Sequence, residues 1–224
     1  MTVELEARED IRLRYLAVDT SNLADVLDDL GLPDQGLAYD IAPFSGQRLG
    51  GWAYTIVGKT VPYDGTGDVK KMEACSGIGP GEVSIWSGDG EGICYFGELI
   101  ALGMRERGSV GALVDGGVRD LRWLREHEIP VFARYRTPVQ SIGRWRVTGW
   151  QEPVSIRGAT SRFVTVSPGD FILADDDGCI VVPAEHVETV LKTAEQLTQT
   201  EVDIRSALRG GLPLEQCLEK FGHV

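Results

Sequence analysis

Short apolar runs alternate with helix-like segments through the middle of the chain. Apolar residues at 93–96, 110–115 and 130–134 predict strands, and the segments between them, 98–107 and 120–128, predict helices. Strands joined by single helices through short connections form parallel βαβ units. The pattern therefore predicts an α/β fold in which these strands end at a common edge of the sheet.

The segments on either side extend this prediction. A helix over 20–31 is expected, because Thr20-Ser21-Asn22 can cap its start and Gly31 can end it. Residues 135–168 contain tryptophans, threonines, valines and turn-forming residues, which favour β-hairpins. Further strands are predicted at 53–62, at 82–86 and at 171–183, the last interrupted by Asp175-Asp176-Asp177-Gly178. We expect residues 1–224 to form a single domain.

The last long helix is predicted over 184–209. Glu201 falls on its apolar face, where an unpaired carboxylate is costly. It should therefore be paired, bound to a cation or placed at a subunit boundary. The apolar face comprises Val187, Val190, Leu191, Ala194, Leu197, Ile204 and Leu208.

The amino-acid composition excludes some classes of binding partner. A formal net charge of −12 and no basic stripe argue against nucleic acid and against an anionic membrane surface. This charge is compatible with divalent cations or basic partners, although an acidic surface is also ordinary for a dissolved protein. None of the four cysteines forms a CxxC pair, and neither a signal-like segment nor a membrane-length apolar run is present. We therefore expect a cytoplasmic protein with reduced thiols.

A first candidate site is the turn Gly97-Glu98-Leu99-Ile100. At the start of a helix, the N–H groups of Glu98, Leu99 and Ile100 would point outward and attract a carboxylate or a phosphate. Gly97 would permit close approach and unusual backbone dihedrals. The alternative is that Gly97 only makes the turn and Glu98 only places a favourable charge in the first helical turn.

The second candidate is Asp115-Gly-Gly-Val-Arg119-Asp120, where the glycine pair is expected to make a tight turn beneath a ligand. Arg119 offers a fork of donors for a carboxylate or an enolate oxygen. Asp120 could bind Mg²⁺ or Mn²⁺, which retain several waters. The alternative is a surface Arg–Asp pair in which Asp120 caps the next helix.

Other candidates carry less information. The Asp175–Asp177 cluster could bind a metal, but a turn between two strands explains it equally well. The histidines at 127, 186 and 223 are scattered, and no nucleophile elbow is present. Tyr54, Thr55 and Arg134 could line a pocket.

Four segments in order carry a resemblance to a known family: residues 97–100, 114–120, 130–134 and 168–183. Together they resemble the RraA-like superfamily, which contains class II 4-hydroxy-4-methyl-2-oxoglutarate aldolases and the regulator of ribonuclease activity A. The resemblance spans about residues 20–210. It implies a phosphohistidine-swivelling-type α/β sandwich that assembles as a trimer ring or as a hexamer of two trimers.

The resemblance also implies roles for individual residues. The amides of Gly97–Ile100 would hold the carboxylate of pyruvate, Arg119 would steady the enolate oxygen, and Asp120 would bind Mg²⁺ or Mn²⁺ directly. Glu98 would hold water on the metal. So would Glu201, reaching in on the 184–209 helix of a neighbouring subunit.

These roles imply a divalent-metal-dependent lyase that releases pyruvate from a 2-oxo acid, as an aldolase, an oxaloacetate decarboxylase or both. A water at the metal could carry the proton. Family aldolases have an acidic residue about three positions after the aspartate, where this chain has Trp123, and residues 143–147 also differ. The substrate beyond its pyruvate-like part stays open. The alternatives are a non-catalytic regulator that binds ribonuclease E, and a lyase or hydratase acting on a sugar acid.

Overall fold

The computed structural model describes residues 2–223 of the 224. Its helices are α1 (Thr2–Tyr15), α2 (Thr20–Asp29), α3 (Val69–Ser76), α4 (Glu98–Arg105), α5 (Leu121–Glu126), α6 (Val187–Arg209) and α7 (Leu214–Phe221). Its strands are β1 (Ala42–Ser45), β2 (Leu49–Thr60), β3 (Glu82–Gly88), β4 (Cys94–Phe96), β5 (Gly111–Val118), β6 (Val131–Arg136), β7 (Trp145–Trp150), β8 (Val154–Arg157), β9 (Phe163–Val166), β10 (Phe171–Asp175) and β11 (Gly178–Val182).

A mixed sheet forms the centre of the fold, with the strand order β1-β6-β5-β3-β2-β10-β11. The strands β2, β3, β5 and β6 are parallel, and the short β4 also pairs in parallel with β5. Antiparallel β1 and the β10–β11 hairpin extend the two edges. The predicted α/β fold with parallel units is confirmed.

The apolar character of the central strands follows from their burial on both faces of the sheet. All eight residues of β5 are buried, as expected for a parallel strand covered on both faces. Helices α3, α4 and α5 contribute Ala74, Met104 and Leu124 to one apolar cluster. Helices α1, α2 and α6 pack in another, around Phe171 and Val182.

The glycine pair in the second candidate motif does not form the predicted tight turn. Gly116 and Gly117 lie inside β5 rather than in a turn. A Cβ at Gly116 would come within 2.4 Å of the Tyr95 ring, and one at Gly117 within 2.4 Å of the Ile93 carbonyl. Glycine is needed here because β4 and its neighbours approach the strand closely.

The region 135–168 was only partly predicted. β8 and β9 pair as an antiparallel hairpin, as expected. β7 instead joins the main sheet by pairing with β2, so its prediction as part of a hairpin was wrong. The segment 171–183 forms two strands with a turn at Asp176-Asp177, and α2 and α6 match their predicted helices to within three residues.

Three helices, α1, α3 and α7, were not predicted.

All four cysteines are buried and free, in agreement with reduced thiols. Within residues 2–223, no helix combines the length and the apolar character needed to cross a membrane.

Candidate active site

Strand pairing brings the two candidate turns together. β4 and β5 are parallel neighbours, with Cys94 opposite Gly117 and Phe96 opposite Val118. Directly after this pairing, the Arg119 N–H donates to the Phe96 carbonyl at 3.1 Å. The start of α4 and the start of α5 therefore lie side by side at the carboxyl edge of the sheet, where α/β folds bind ligands.

Position 97 requires glycine because the side chains of Arg119 and Asp120 pack directly against it. Its φ of −153° is ordinary extended backbone, so the expected unusual dihedral was wrong. A Cβ at this position would come within 2.7 Å of Asp120 Oδ2 and 3.2 Å of Arg119 Cγ. The expected close approach is therefore present, and it is an approach between the two turns.

The first turn of α4 supplies backbone donors. The Glu98 N–H donates to Asp120 Oδ2 at 3.3 Å. By helix geometry, the N–H groups of Leu99 and Ile100 have no acceptor within the helix. Both residues line the cavity described below, so two N–H donors are available for an anion at its wall.

Asp120 has an uncommon backbone conformation. Its φ of 62° and ψ of 33° are left-handed, a region that non-glycine residues enter at a cost. It stands at the N-cap position of α5, yet its carboxylate makes no capping hydrogen bond. The alternative in which its side chain caps the helix was therefore wrong. The carboxylate is instead held over the start of α4.

Arg119 presents a guanidinium with few partners. Its Nε lies 3.5 Å from Asp120 Oδ2, and both side chains are 38% exposed. No hydrogen bond from this guanidinium to another group within residues 2–223 is formed. Its fork of donors can therefore bind a planar oxygen-bearing ligand.

These groups share one cavity of about 400 Å³. Its walls are mostly apolar, with charged groups at Asp68, Lys71, Arg119 and Asp120. Such a cavity suits a small acid whose few polar atoms are fixed individually. The lining residues are Gly67, Asp68, Lys71, Met72, Cys94, Tyr95, Phe96, Gly97, Leu99, Ile100, Arg119, Asp120, Gln140, Ser141, Ile142 and Trp145.

Lys71 is a functional candidate that the sequence did not reveal. Its ammonium donates to the Tyr95 carbonyl at 2.5 Å and to Ser141 Oγ at 3.3 Å. It also lies 5.2 Å from the centre of the Trp86 ring. Burial lowers the pKa of Lys71, because the charged ammonium loses hydration there. In the sequence it simply follows another lysine, Lys70, and only the tertiary structure distinguishes the two.

The two predicted glutamates lie away from the cavity wall. The Glu98 carboxylate faces His127, with Oε1 and Nε2 3.7 Å apart. Glu201 pairs with Arg205 one turn later on α6, and its Oε1 lies 3.8 Å from His223 Nε2. The structure thus shows Glu201 paired within its own chain. Its expected role across a subunit boundary stays a prediction.

Other sequence candidates have structural partners. Asp175 accepts hydrogen bonds from the backbone and hydroxyl of Thr20, which ties the β10–β11 turn to α2. Tyr54 is buried and donates to the Ala74 carbonyl. Arg134 pairs with Asp40 and Glu91. These contacts account for the three side chains structurally.

A divalent metal would find few protein ligands here. Within residues 2–223, no three His, Cys, Asp or Glu side chains come together as a ready cage. Mg²⁺ commonly uses one or two carboxylates and retains several waters. The uncapped, part-exposed carboxylate of Asp120 fits that chemistry, beside the amides and the arginine that would hold an acid.

Comparison with known proteins agrees with the fold. The RraA-like family model (Aldolase/RraA) matches residues 20–181, and the chain belongs to this family. It is 27% identical over 221 residues to a putative 4-hydroxy-4-methyl-2-oxoglutarate aldolase from Halalkalibacterium halodurans, covering 97% of this chain and 98% of the relative.

Two other proteins are similar over most of this chain. Protein DlpA of Legionella pneumophila is 27% identical over 98% of it, but the chain spans only 35% of DlpA. An uncharacterized protein from Pseudomonas syringae has a solved structure that superimposes with a TM-score of 0.82 at 28% identity, covering 95% of this chain and 94% of that one. The fold is therefore that of the family.

Proposed function

We propose that this protein is a divalent-metal-dependent lyase that releases pyruvate from a 2-oxo acid through an enolate. The reaction would be aldol cleavage of the 4-hydroxy-4-methyl-2-oxoglutarate type, oxaloacetate decarboxylation, or both, since the two share the pyruvate enolate. One observation carries the proposal: backbone donors, an arginine with free donors and an uncapped aspartate meet at a single cavity.

Each group has a place in that chemistry. The amides of Leu99 and Ile100 would bind the carboxylate of the pyruvoyl part. Arg119 would donate to the C2 oxygen, where negative charge develops as the bond to C3 breaks. Asp120 would hold Mg²⁺ or Mn²⁺, and the ion when bound would add Lewis-acid stabilisation of that charge.

The bond changes balance for both substrates. In aldol cleavage, the C4 hydroxyl loses a proton, the C3–C4 bond breaks and its electron pair forms the enolate. In decarboxylation, the pair comes from the bond to the departing CO₂. The enolate then takes a proton at C3 to give pyruvate. Glu98 does not line the cavity, so its expected catalytic contribution, which is to hold water on the metal, would be made through solvent.

The proposal is tested by measuring pyruvate release from a panel of 2-oxo acids with Mn²⁺, with Mg²⁺ and with EDTA. Arg119→Ala should lower kcat by about 10²–10³-fold, the usual loss for an oxyanion donor. Arg122→Ala, an exposed arginine three residues further on, should leave it unchanged. Asp120→Asn should also weaken Mn²⁺ binding, measured by paramagnetic resonance of the ion.

Two results would contradict the proposal. One is a wild-type protein that, with Mn²⁺ present, releases no pyruvate above the metal-only background. The other is an Arg119→Ala variant as active as Arg122→Ala. The regulator alternative predicts instead a salt-sensitive interaction with ribonuclease E in a pull-down, carried by the acidic surface. A sugar-acid lyase or hydratase would show its activity on that substrate class in the same panel.

A further inference from the structure

A second cation besides Arg119 lies on the wall of the cavity. Lys71 extends from α3, and its ammonium has three N–H donors, of which two are used, by the Tyr95 carbonyl and Ser141 Oγ. Within residues 2–223, no carboxylate forms an ion pair with it. One N–H donor of Lys71 therefore remains available to a ligand.

Removing this ammonium from water has a cost that its surroundings only partly offset. Its neighbours are a carbonyl, a hydroxyl and the rings of Trp86 and Trp145, at 5.2 and 5.9 Å. A buried charge is expected to be paired. Asp68, on the same wall, uses its two carboxylate oxygens to accept the backbone N–H groups of Lys71 and Val147. An anionic ligand would complete the surroundings of the ammonium.

The contact between the Lys71 ammonium and β4 sets the distance from the ammonium to the start of α4. It is bound to the carbonyl of Tyr95, two residues before Gly97, which corresponds to about 6.6 Å along a strand. In a five-carbon diacid, four C–C bonds of about 1.5 Å join the two carboxyl carbons, and in the extended zigzag chain these carbons are roughly 5 Å apart. An acid with one carboxylate at the start of α4 could therefore reach the ammonium with the other.

We propose that Lys71 is the specificity-determining residue for a 2-oxo dicarboxylic acid, binding the carboxylate remote from the 2-oxo group. The assignment rests on the proposed function, because it takes the first carboxylate to lie at Leu99 and Ile100. Arg119 then serves the 2-oxo group, and the two cations have separate tasks. The apolar wall between them, which includes Phe96, would contact the connecting carbons.

The test compares two ligands that differ only at the remote end. 2-Oxoglutarate carries a carboxylate where 2-oxopentanoate carries a methyl group. Dissociation constants are measured by calorimetry with Mg²⁺ present, a readout that needs no turnover. The wild type should prefer 2-oxoglutarate by roughly 10- to 100-fold, since one charge-assisted hydrogen bond distinguishes the two ligands.

Three variants isolate Lys71. Lys71→Met should abolish the preference by weakening 2-oxoglutarate alone, and Lys71→Arg should restore part of it. Lys70→Met, at the exposed neighbouring lysine, should behave as the wild type. Thermal unfolding shows whether each variant is folded, and methionine suits an apolar wall.

The outcomes separate this inference from the proposed function. If 2-oxo acids bind but Lys71→Met keeps the preference, the role of Lys71 is wrong and the proposed function stands. If neither ligand binds the wild type, both are wrong. Borohydride reduction in the presence of pyruvate that leaves a covalent adduct on Lys71 would also overturn the proposal, because the amine would then act as a nucleophile.

Discussion

Gly97 and Asp120 depend on each other at the scale of single residues. The carboxylate of Asp120 occupies the space where a side chain at position 97 would begin. Its left-handed backbone brings it there, and the Glu98 N–H holds it. The site is therefore fixed by a missing Cβ on one turn and a strained residue on the other.

Gly97→Ala should disable the site while leaving the fold intact. A Cβ only 2.7 Å from Asp120 Oδ2 must displace that carboxylate or the start of α4. We expect kcat/KM for pyruvate release to fall about 10²-fold, as for a displacement of about 1 Å in a catalytic group. Mn²⁺ binding should weaken in parallel.

The matched control lies on the same helix. A Cβ at Gly103 meets nothing within 4 Å, so Gly103→Ala should keep full activity. It should also raise stability by up to about 1 kcal/mol, since alanine is the better helix former. Equal activity of the two variants would show that the contact between Gly97 and Asp120 has no role in the site.

The chemistry of the site was predictable where it depended on local sequence. Gly97, Arg119 and Asp120 stand at strand-to-helix junctions that their own segments indicate. Lys71 was not predictable, because its environment is made by Trp86, Tyr95, Ser141 and Trp145, which are distant in sequence.

At the scale of elements, α3 links the cavity to the sheet. Asp68 caps this helix with Oδ1, which accepts the Lys71 N–H, while Oδ2 accepts the Val147 N–H of β7 at 2.7 Å. One carboxylate therefore fixes the start of α3 and its position against an edge strand. These two contacts of Asp68 together fix the position of Lys71.

Asp68→Ala should lower the free energy of unfolding by about 1–3 kcal/mol, since it removes a cap and leaves a part-buried N–H unpaired. Asp68→Asn, which keeps one acceptor oxygen, should lose less. Urea denaturation measures both. Asp25→Ala, at an exposed position on α2, should stay within about 0.5 kcal/mol of the wild type. An Asp68→Ala variant as stable as Asp25→Ala would contradict the linking role.

The elements that the sequence predicted carry their own apolar pattern, whereas the elements that it missed depend on contacts with distant residues. The segments of β4, α4, β5, α5 and β6 show their burial in their own sequences. By contrast, α3 buries only Ala74 and Cys75, too few residues for a helical period. Half of the residues of α1 are charged, and an Arg14–Glu195 ion pair joins this helix to α6. The pairing of β7 with β2 connects residues about 90 apart, which no local pattern encodes.

At the scale of the whole molecule, two groups of exposed apolar residues can be distinguished among the exposed apolar side chains. Met72, Leu99 and Ile142 line the cavity, and Val69 and Val139 are next in sequence to the lining residues Asp68 and Gln140. A second group lies on α6 and α7, at Val202, Leu208, Leu214 and Leu218. Apolar residues grouped in this way commonly mark surfaces that bind other proteins. They support the prediction that copies of this chain form a ring in which α6 of one subunit meets the site of the next.

That prediction gives Glu201 a role that only an assembly can test. If it completes a neighbour's site, Glu201→Gln should lower activity strongly, as Arg119→Ala does, although each variant leaves the other residue in place. If it only pairs with Arg205 and His223 in its own chain, Glu201→Gln should change thermal stability and leave kcat nearly unchanged. The activity of Glu201→Gln separates these two roles. If this variant is inactive, mixing subunits shows whether Glu201 acts in a neighbour's site or in the site of its own chain.

The two inactive variants are unfolded together in equal amounts, refolded and assayed. In a cyclic trimer, an intact site needs Arg119 from one subunit and Glu201 from the next in a fixed direction. Each requirement is met with a probability of about one half, so about a quarter of the sites, and of wild-type activity, should return. Each variant refolded alone controls for residual activity. Mixtures no more active than their components would mean that an essential Glu201 acts in the site of its own chain. That result would contradict the shared site, provided that mixed trimers are detected by native mass spectrometry.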